Sequence, residues 1–262
     1  MDLQLKNKVA LVTASSKGLG KVSALELARE GAKVVMTARS ERVEQSAEEI
    51  RVETGAEVLT VRGDVSSQED IDRMVKVALK NFWQIDILIA NCGGPKPGGF
   101  LDLIPEDWVS ASHLTLMSVV RLCYGVVPHM IERGSGSIVA IQSYSVKQPI
   151  DGLILSNSLR LGVIGLLKSL ANELGPKGIR VNSLNPAWTW TERVEQLMND
   201  RANRTGTPVE EQSANITKAV PLGRMGTVEE FGKTVAWLAS PAASFIHGSA
   251  LMFDGGAVKA AL

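Results

Sequence analysis

The stretch TASSKGLG, residues 13–20, sets small residues and two glycines between an apolar β-branched run at 9–13 and an amphipathic run at 19–30. A strand that enters a helix through such a turn lets the backbone come close to a bound group. The helix start then offers free N–H donors and a partial positive charge, which is the chemistry of a pyrophosphate site. At the end of the next apolar run, 33–37, stand Ala38 and then Arg39. A site for NAD usually has a carboxylate there to hold the ribose 2′-OH, whereas an arginine favours a 2′-phosphate through a charge-assisted bond. Lys17 adds a second cation. The expected cofactor is NADP (NADPH), with NAD disfavoured. The expected contacts are Thr13, Ser15, Ser16, Lys17, Gly18, Leu19 and Gly20 in the turn, and Arg39 beyond it.

Other chemistry is thin. His113, His129 and His247 are scattered and suggest no metal triad. Cys92 and Cys123 lie in apolar stretches without CxxC spacing and read as buried thiols of a reducing compartment. Lys plus Arg and Asp plus Glu both total 28, so net charge argues for neither nucleic acid nor an anionic membrane as partner. The N-terminus lacks a secretory pattern and no run of 18 apolar residues occurs, so a cytoplasmic location is expected.

The elements that must position these residues alternate. Short apolar runs at 9–13, 33–37, 57–62, 85–90, 137–141 and 179–184 read as strands. Between them, helical periodicity covers 19–30, 41–53, 68–81, 106–133 (with Pro128 as a kink) and 153–174, and a helix at 227–239 and a strand at 249–253 close the chain. Continuous apolar strands alternating with helices predict an α/β Rossmann fold, a doubly wound parallel sheet of about seven strands. No repeat or linker divides the 262 residues, so one domain is expected over 1–262. Residues 187–226 are the one long region of weak periodicity, a candidate lid over the carboxyl ends of the strands.

From end to end the chain resembles the short-chain dehydrogenase/reductase family, most closely its 3-oxoacyl-acyl-carrier-protein reductase-like group. TASSKGLG is similar to the family's TGxxxGxG loop, with Ala14 in the first glycine position. ANCGG, 90–94, is similar to its NNAG turn, and IRVNSLNPA to its IRVNxxxPG, with Ala187 in the glycine position. PLGRMGTVEEFGKTVAWLAS followed by LMFDGG matches its C-terminal run. The resemblance implies adenine contacts at Asp64 and Val65, further cofactor contacts at Asn91, Gly93 and Pro186, and Thr191 near the nicotinamide. It also implies a small-molecule substrate and a homo-oligomer, tetramer or dimer, built through the two long helices and the last strand.

The family's catalytic set is Asn, Ser, Tyr and Lys, and here three of the four positions depart. Ser143 keeps the serine; Ser156 stands for the tyrosine, Arg160 for the lysine and Thr115 for the asparagine. A serine hydroxyl is far less acidic than a phenol, and a gap of roughly three units is worth about 4 kcal/mol, or about 10³-fold in rate. An arginine keeps the charge, and a bond to the nicotinamide ribose, but not lysine's proton relay. Tyr144 and Lys147 offer a relocated acid pair; the plainer reading is a loop tyrosine and a solvated lysine. Lys147 and Arg160 can also recognise an acidic substrate. Tyr124 reads as a packing residue. Two functions are therefore carried forward: an NADP(H)-dependent oxidoreductase on a carbonyl or alcohol, and a catalytically inactive NADP-binding protein, sensor or supporting subunit.

Overall fold

A computed structural model describes residues 1–260; the last two residues of the expected domain, 261 and 262, lie outside the described residues. Seven strands form one sheet in the order β3-β2-β1-β4-β5-β6-β7. They are β1 Val9–Val12, β2 Lys33–Ala38, β3 Val58–Arg62, β4 Ile87–Ala90, β5 Gly136–Ile141, β6 Ile179–Pro186 and β7 Ala250–Phe253. Every pairing is parallel, with Val12 opposite both Met36 and Ile89. All the carboxyl ends therefore share one edge, and the winding reverses between β1 and β4. A crevice opens at such a reversal.

Alternation along each strand splits the core in two. Ala10 and Val12 join α1 (Gly18–Arg29), α2 (Arg42–Thr54) and α9 (Val228–Ala239) on one face. Leu11, Leu88 and Ile138 meet α3 (Gln68–Phe82), α5 (Ser118–Arg133) and α6 (Ile154–Leu174) on the other. The central strands are buried on both faces, which is why they read as unbroken apolar runs. Helix α9 begins with a reciprocal cap: the Glu230 N–H donates to Thr227 Oγ1, and the Thr227 N–H donates to Glu230 Oε2. Thr227→Ala is expected to cost about 1 kcal/mol, read as a lower midpoint in denaturant unfolding.

Three expectations change. The helix expected over 106–133 is two helices, α4 (Pro105–Ser112) and α5, joined by a π-helical turn at His113–Met117. Helix α5 continues through Pro128, which faces solvent, so the irregularity falls in that turn. The wide turn packs against α6 and buries Thr115 completely. Residues 187–226 contain two further helices, α7 (Glu192–Thr205) and α8 (Val209–Ala219). Their described buried residues are few, Met198 and Gln212, so the apolar stripe is too thin to show a period. Tyr124 is 78% exposed rather than packed. Two stretches, Pro105–Arg133 and Ile154–Lys177, are long and apolar enough to cross a membrane by composition alone, but Val119, Leu122, Val163 and Leu167 bury one side of each against the sheet.

Candidate functional site

A cavity of about 570 Å³ runs along the carboxyl edge of the sheet. One end is walled by Ser16, Lys17, Gly18, Leu19, Arg39, Asp64 and Val65; the other by Ser143, Tyr144, Ser156 and Arg160. Asn91 and Gly93 lie on the wall between, with Pro186 at the end of β6 and Thr191 at the start of α7.

Three of the expected turn contacts, Thr13, Ser15 and Gly20, do not line the cavity, Gly20 because it packs against the Ala14 carbonyl and the Asn91 amide. Thr13 Oγ1 donates to the Asn91 carbonyl at 2.6 Å and accepts the Asn91 N–H at 2.8 Å, tying β1 to β4. Ser15 Oγ donates to the Val12 carbonyl and accepts the Thr37 N–H, both at 3.0 Å, tying the turn to β2. Both side chains are fully buried, so they pin the turn from behind. Ala14 has φ +47°, a left-handed conformation that costs a non-glycine residue about 1–2 kcal/mol. Its carbonyl, which accepts from Asn91 Nδ2 at 3.2 Å, sits where a Cβ on Gly20 would fall 2.3 Å away. Ala187 has no such strain; its N–H donates to the Phe253 carbonyl at 2.9 Å, and alanine suffices there.

The turn end of the cavity is a mesh of opposite charges. Arg39 Nη1 lies 3.5 Å from Asp64 Oδ2. Burial pushes the Asp64 carboxyl up, but hydrogen bonds from Ser66 and the Arg39 charge outweigh it and hold it below its ordinary value. Glu192, the first residue of α7, takes Lys17 at 2.7 Å and Arg42 at 2.5 and 3.1 Å. These two cations, Arg42 first, hold its carboxyl at about 2.

At the inner end, Ser143 Oγ accepts the Ser145 N–H at 3.1 Å, leaving its own proton free to donate. Arg160 is 7% exposed and donates Nε to Ser156 Oγ at 3.2 Å, and Nη1 to the Ile141 carbonyl and to Gln142 Oε1, both at 3.4 Å. Cys92, read as buried, is half-buried and lines the cavity beside Arg160. Burial pushes its thiol up and the arginine charge opposes that. Tyr144 lines the cavity, its ring centroid 6.4 Å from that of Trp188. Lys147 is exposed and off the cavity, and Thr115 is buried behind the wall with Oγ1 unpartnered. The structure therefore assembles Ser143, Tyr144, Ser156 and Arg160 but not Thr115 and Lys147. Sequence reasoning missed Gln142 and Glu192. A polar residue closing the apolar run 137–141 was a readable signal for Gln142, whereas an acid in a first helical turn is commonplace and gave none for Glu192.

Residues 13–258 match a family model described as enoyl-(acyl carrier protein) reductase. Dehydrogenase/reductase SDR family member 4 of Oryctolagus cuniculus is 35% identical over 97% of this chain and 94% of its own length. The chain belongs to the short-chain dehydrogenase/reductase family. The 3-oxoacyl-[acyl-carrier-protein] reductase of Synechocystis sp., another relative within this family, is 32% identical over 97% of this chain and 98% of its own. L-Sorbose reductase from Gluconobacter frateurii, solved in complex with NADPH and L-sorbose, superposes with a TM-score of 0.94. It is 30% identical, covering 99% of this chain and 100% of its own. The short-chain dehydrogenase/reductase fold thus spans the described chain.

Proposed function

We propose that this chain is an NADP(H)-dependent oxidoreductase that interconverts a carbonyl and an alcohol on a small molecule, 3-oxoacyl-acyl-carrier-protein reductase-like in type with an altered acid site. The observation that carries it is one cavity joining the N-terminus of α1 and two cations, at one end, to Ser143, Ser156 and Arg160 at the other. The NADPH-bound L-sorbose reductase, alike in fold and length, supports the same cofactor here. The donor set fits it: the backbone N–H groups at the start of α1, where Gly18 and Leu19 line the cavity, for the pyrophosphate, Arg39 and Lys17 for the 2′-phosphate, Asp64 and Val65 for the adenine. Asn91, Gly93, Pro186 and Thr191 flank the middle and the nicotinamide, and Arg160 holds its ribose.

Bound NADPH supplies the hydride, so that carbonyl, NADPH and a proton give alcohol and NADP⁺. Ser143 donates a hydrogen bond to the carbonyl oxygen. Ser156 accepts from Arg160 and so points its own proton outward, with the guanidinium beside it favouring negative charge as it develops on that oxygen. Solvent water is the proton source. Lys147, the cation that the sequence offers to Tyr144, is exposed and lies off the cavity. Ser156→Ala is expected to lower kcat about 10²-fold, and Tyr144→Phe no more than about threefold, in steady-state turnover of a carbonyl panel. The reverse result moves the acid to Tyr144.

The inactive NADP-binding alternative rests on the replacement of the phenol and ammonium by Ser156 and Arg160. NADPH binding without turnover across a broad carbonyl panel would favour it. Residues 187–226, with α7 and α8, act as the lid. The exposed apolar residues Val109, Tyr124 and Leu161 on α4, α5 and α6 support a homo-oligomer built through those helices.

A further inference from the structure

The inner end of the cavity buries a positive charge that the fold leaves underbonded. Two arginines are withdrawn from solvent in different ways. Arg180 donates to the carbonyls of Leu238, Ala239, Ser240, Ala243 and Ile246 and to Ser137 Oγ, all within 3.3 Å. Both terminal nitrogens of its guanidinium are fully engaged, and they fasten β6 to the end of α9. Arg160 has neutral partners only: a serine oxygen, one carbonyl and one amide oxygen at 3.4 Å, and the Cys92 thiol. Among the described residues no carboxylate pairs with it. A buried cation without a counter-charge is unfavourable by several kcal/mol in general, so its place on a cavity wall points to a charge supplied from outside.

Gln142 gives a second sign. It is 4% exposed and lines the same cavity. A guanidinium has no acceptor, so the amide atom facing Arg160 is Oε1. That orientation leaves Nε2 buried without a partner. A charged donor and an unpartnered amide donor thus stand side by side. The acidic residues of the cavity, Asp64 and Glu192, are at the other end and already hold Arg39, Lys17 and Arg42. Ribose hydroxyls can accept a bond from Arg160 but cannot neutralise it. Gln142 and Ser143 are consecutive and both line the cavity. A ligand that answers both therefore carries its acceptor groups close together.

We propose that Arg160 and Gln142 form a receptor for a substrate carboxylate, and that the substrate is a 2-oxo acid or the corresponding 2-hydroxy acid, with its carbonyl oxygen on Ser143. This rests on the oxidoreductase reading above and names the substrate class of that same site. Trp188, Ile150 and Leu153 form the apolar wall for the rest of the molecule. Besides holding the ribose, Arg160 then orients the carboxylate and stabilises the oxygen on which negative charge grows.

The test is calorimetric titration of the full chain saturated with NADP⁺, in which an oxo acid binds without turning over. The probes are 2-oxopentanoate, its methyl ester and pentan-2-one. The expected result is that the acid binds at least about tenfold tighter than either neutral analogue. Gln142→Leu should shrink that ratio, Arg160→Gln should abolish it and Arg160→Lys should retain part of it. Equal binding of acid and ester by the wild-type complex overturns the receptor and leaves the oxidoreductase reading standing. Failure of NADP⁺ and NADPH to bind by millimolar concentration overturns the oxidoreductase reading first, and the receptor with it. The wild-type comparison needs no variant to fold.

Discussion

Arg39→Ala is expected to weaken NADPH binding about 10- to 100-fold and to leave NADH binding within about twofold, the range for one charge-assisted hydrogen bond removed. The side chain is largely exposed at the carboxyl end of β2, and its one ion-pair contact among the described residues is the 3.5 Å approach to Asp64. An exposed pair of that length is weak, so a 2′-phosphate can take the arginine over at little cost. Lys17 differs, because Glu192, which also holds Arg42, already engages it. Glu192 is an internal anion that occupies the cation a phosphate would use. Its carboxyl is held at about 2, below its ordinary value, so the network is present above the usual carboxylate range and is lost only as pH falls toward that value. Across neutral pH the phosphate must compete with it. Side-by-side fluorescence titration with NADPH and NADH reads the result, and a parallel loss of both cofactors would remove Arg39 from the 2′-phosphate site.

Much of this site is legible locally. A turn of small residues between a strand and a helix is written in eight consecutive letters, and Arg39 follows the next strand directly. The fold is legible for the same reason: a strand buried on both faces must be apolar throughout, whereas a helix between strands must show one apolar stripe. Tyr124 illustrates a readable position that composition alone obscures. Val119, Leu122, Cys123, Val126 and Met130 set the buried stripe of α5, and Tyr124 falls off that phase. The π-helical turn is different. HLTLM carries the same apolar character as its flanks, and the extra residue in the turn shows only in the backbone.

Long-range polar geometry was out of reach. Glu192 meets Lys17 across 175 residues of chain and Arg42 across 150. Nothing in the spacing of those residues implies it. Thr13 and Ser15 are correct for a phosphate turn by type, yet both hydroxyls are spent inside the fold. A small polar residue in such a turn can face the ligand or the strand behind it, and only the backbone conformation decides. The departures at Ser156 and Arg160 were visible as letters. What they do depends on Gln142, whose amide orientation follows from the guanidinium against it.

Gly20 and Gly93 separate the turn's architecture from its ligand, and replacing each with alanine should give opposite signatures. A Cβ at Gly20 would stand 2.3 Å from the Ala14 carbonyl oxygen and 2.8 Å from Asn91 Nδ2. Backbone cannot yield there as a flexible side chain would, because Asn91 is itself tied to Thr13. Gly20→Ala is expected to cost at least about 2 kcal/mol of stability and, by displacing the turn, to weaken NADPH binding more than about 100-fold. At Gly93 no described atom beyond its chain neighbours lies within 4 Å of the added Cβ, and its φ is not in the left-handed range. Gly93→Ala should therefore leave the unfolding midpoint within about 0.5 kcal/mol of wild type. Yet Gly93 lines the cavity between its two ends, so the methyl group narrows the path of a ligand that reaches from Arg39 to Arg160. NADPH binding should fall by about tenfold or more, an effect of overpacking carried by the ligand alone. If Gly93→Ala binds NADPH as wild type does, the cofactor does not pass the end of β4, and the two ends of the cavity serve different molecules.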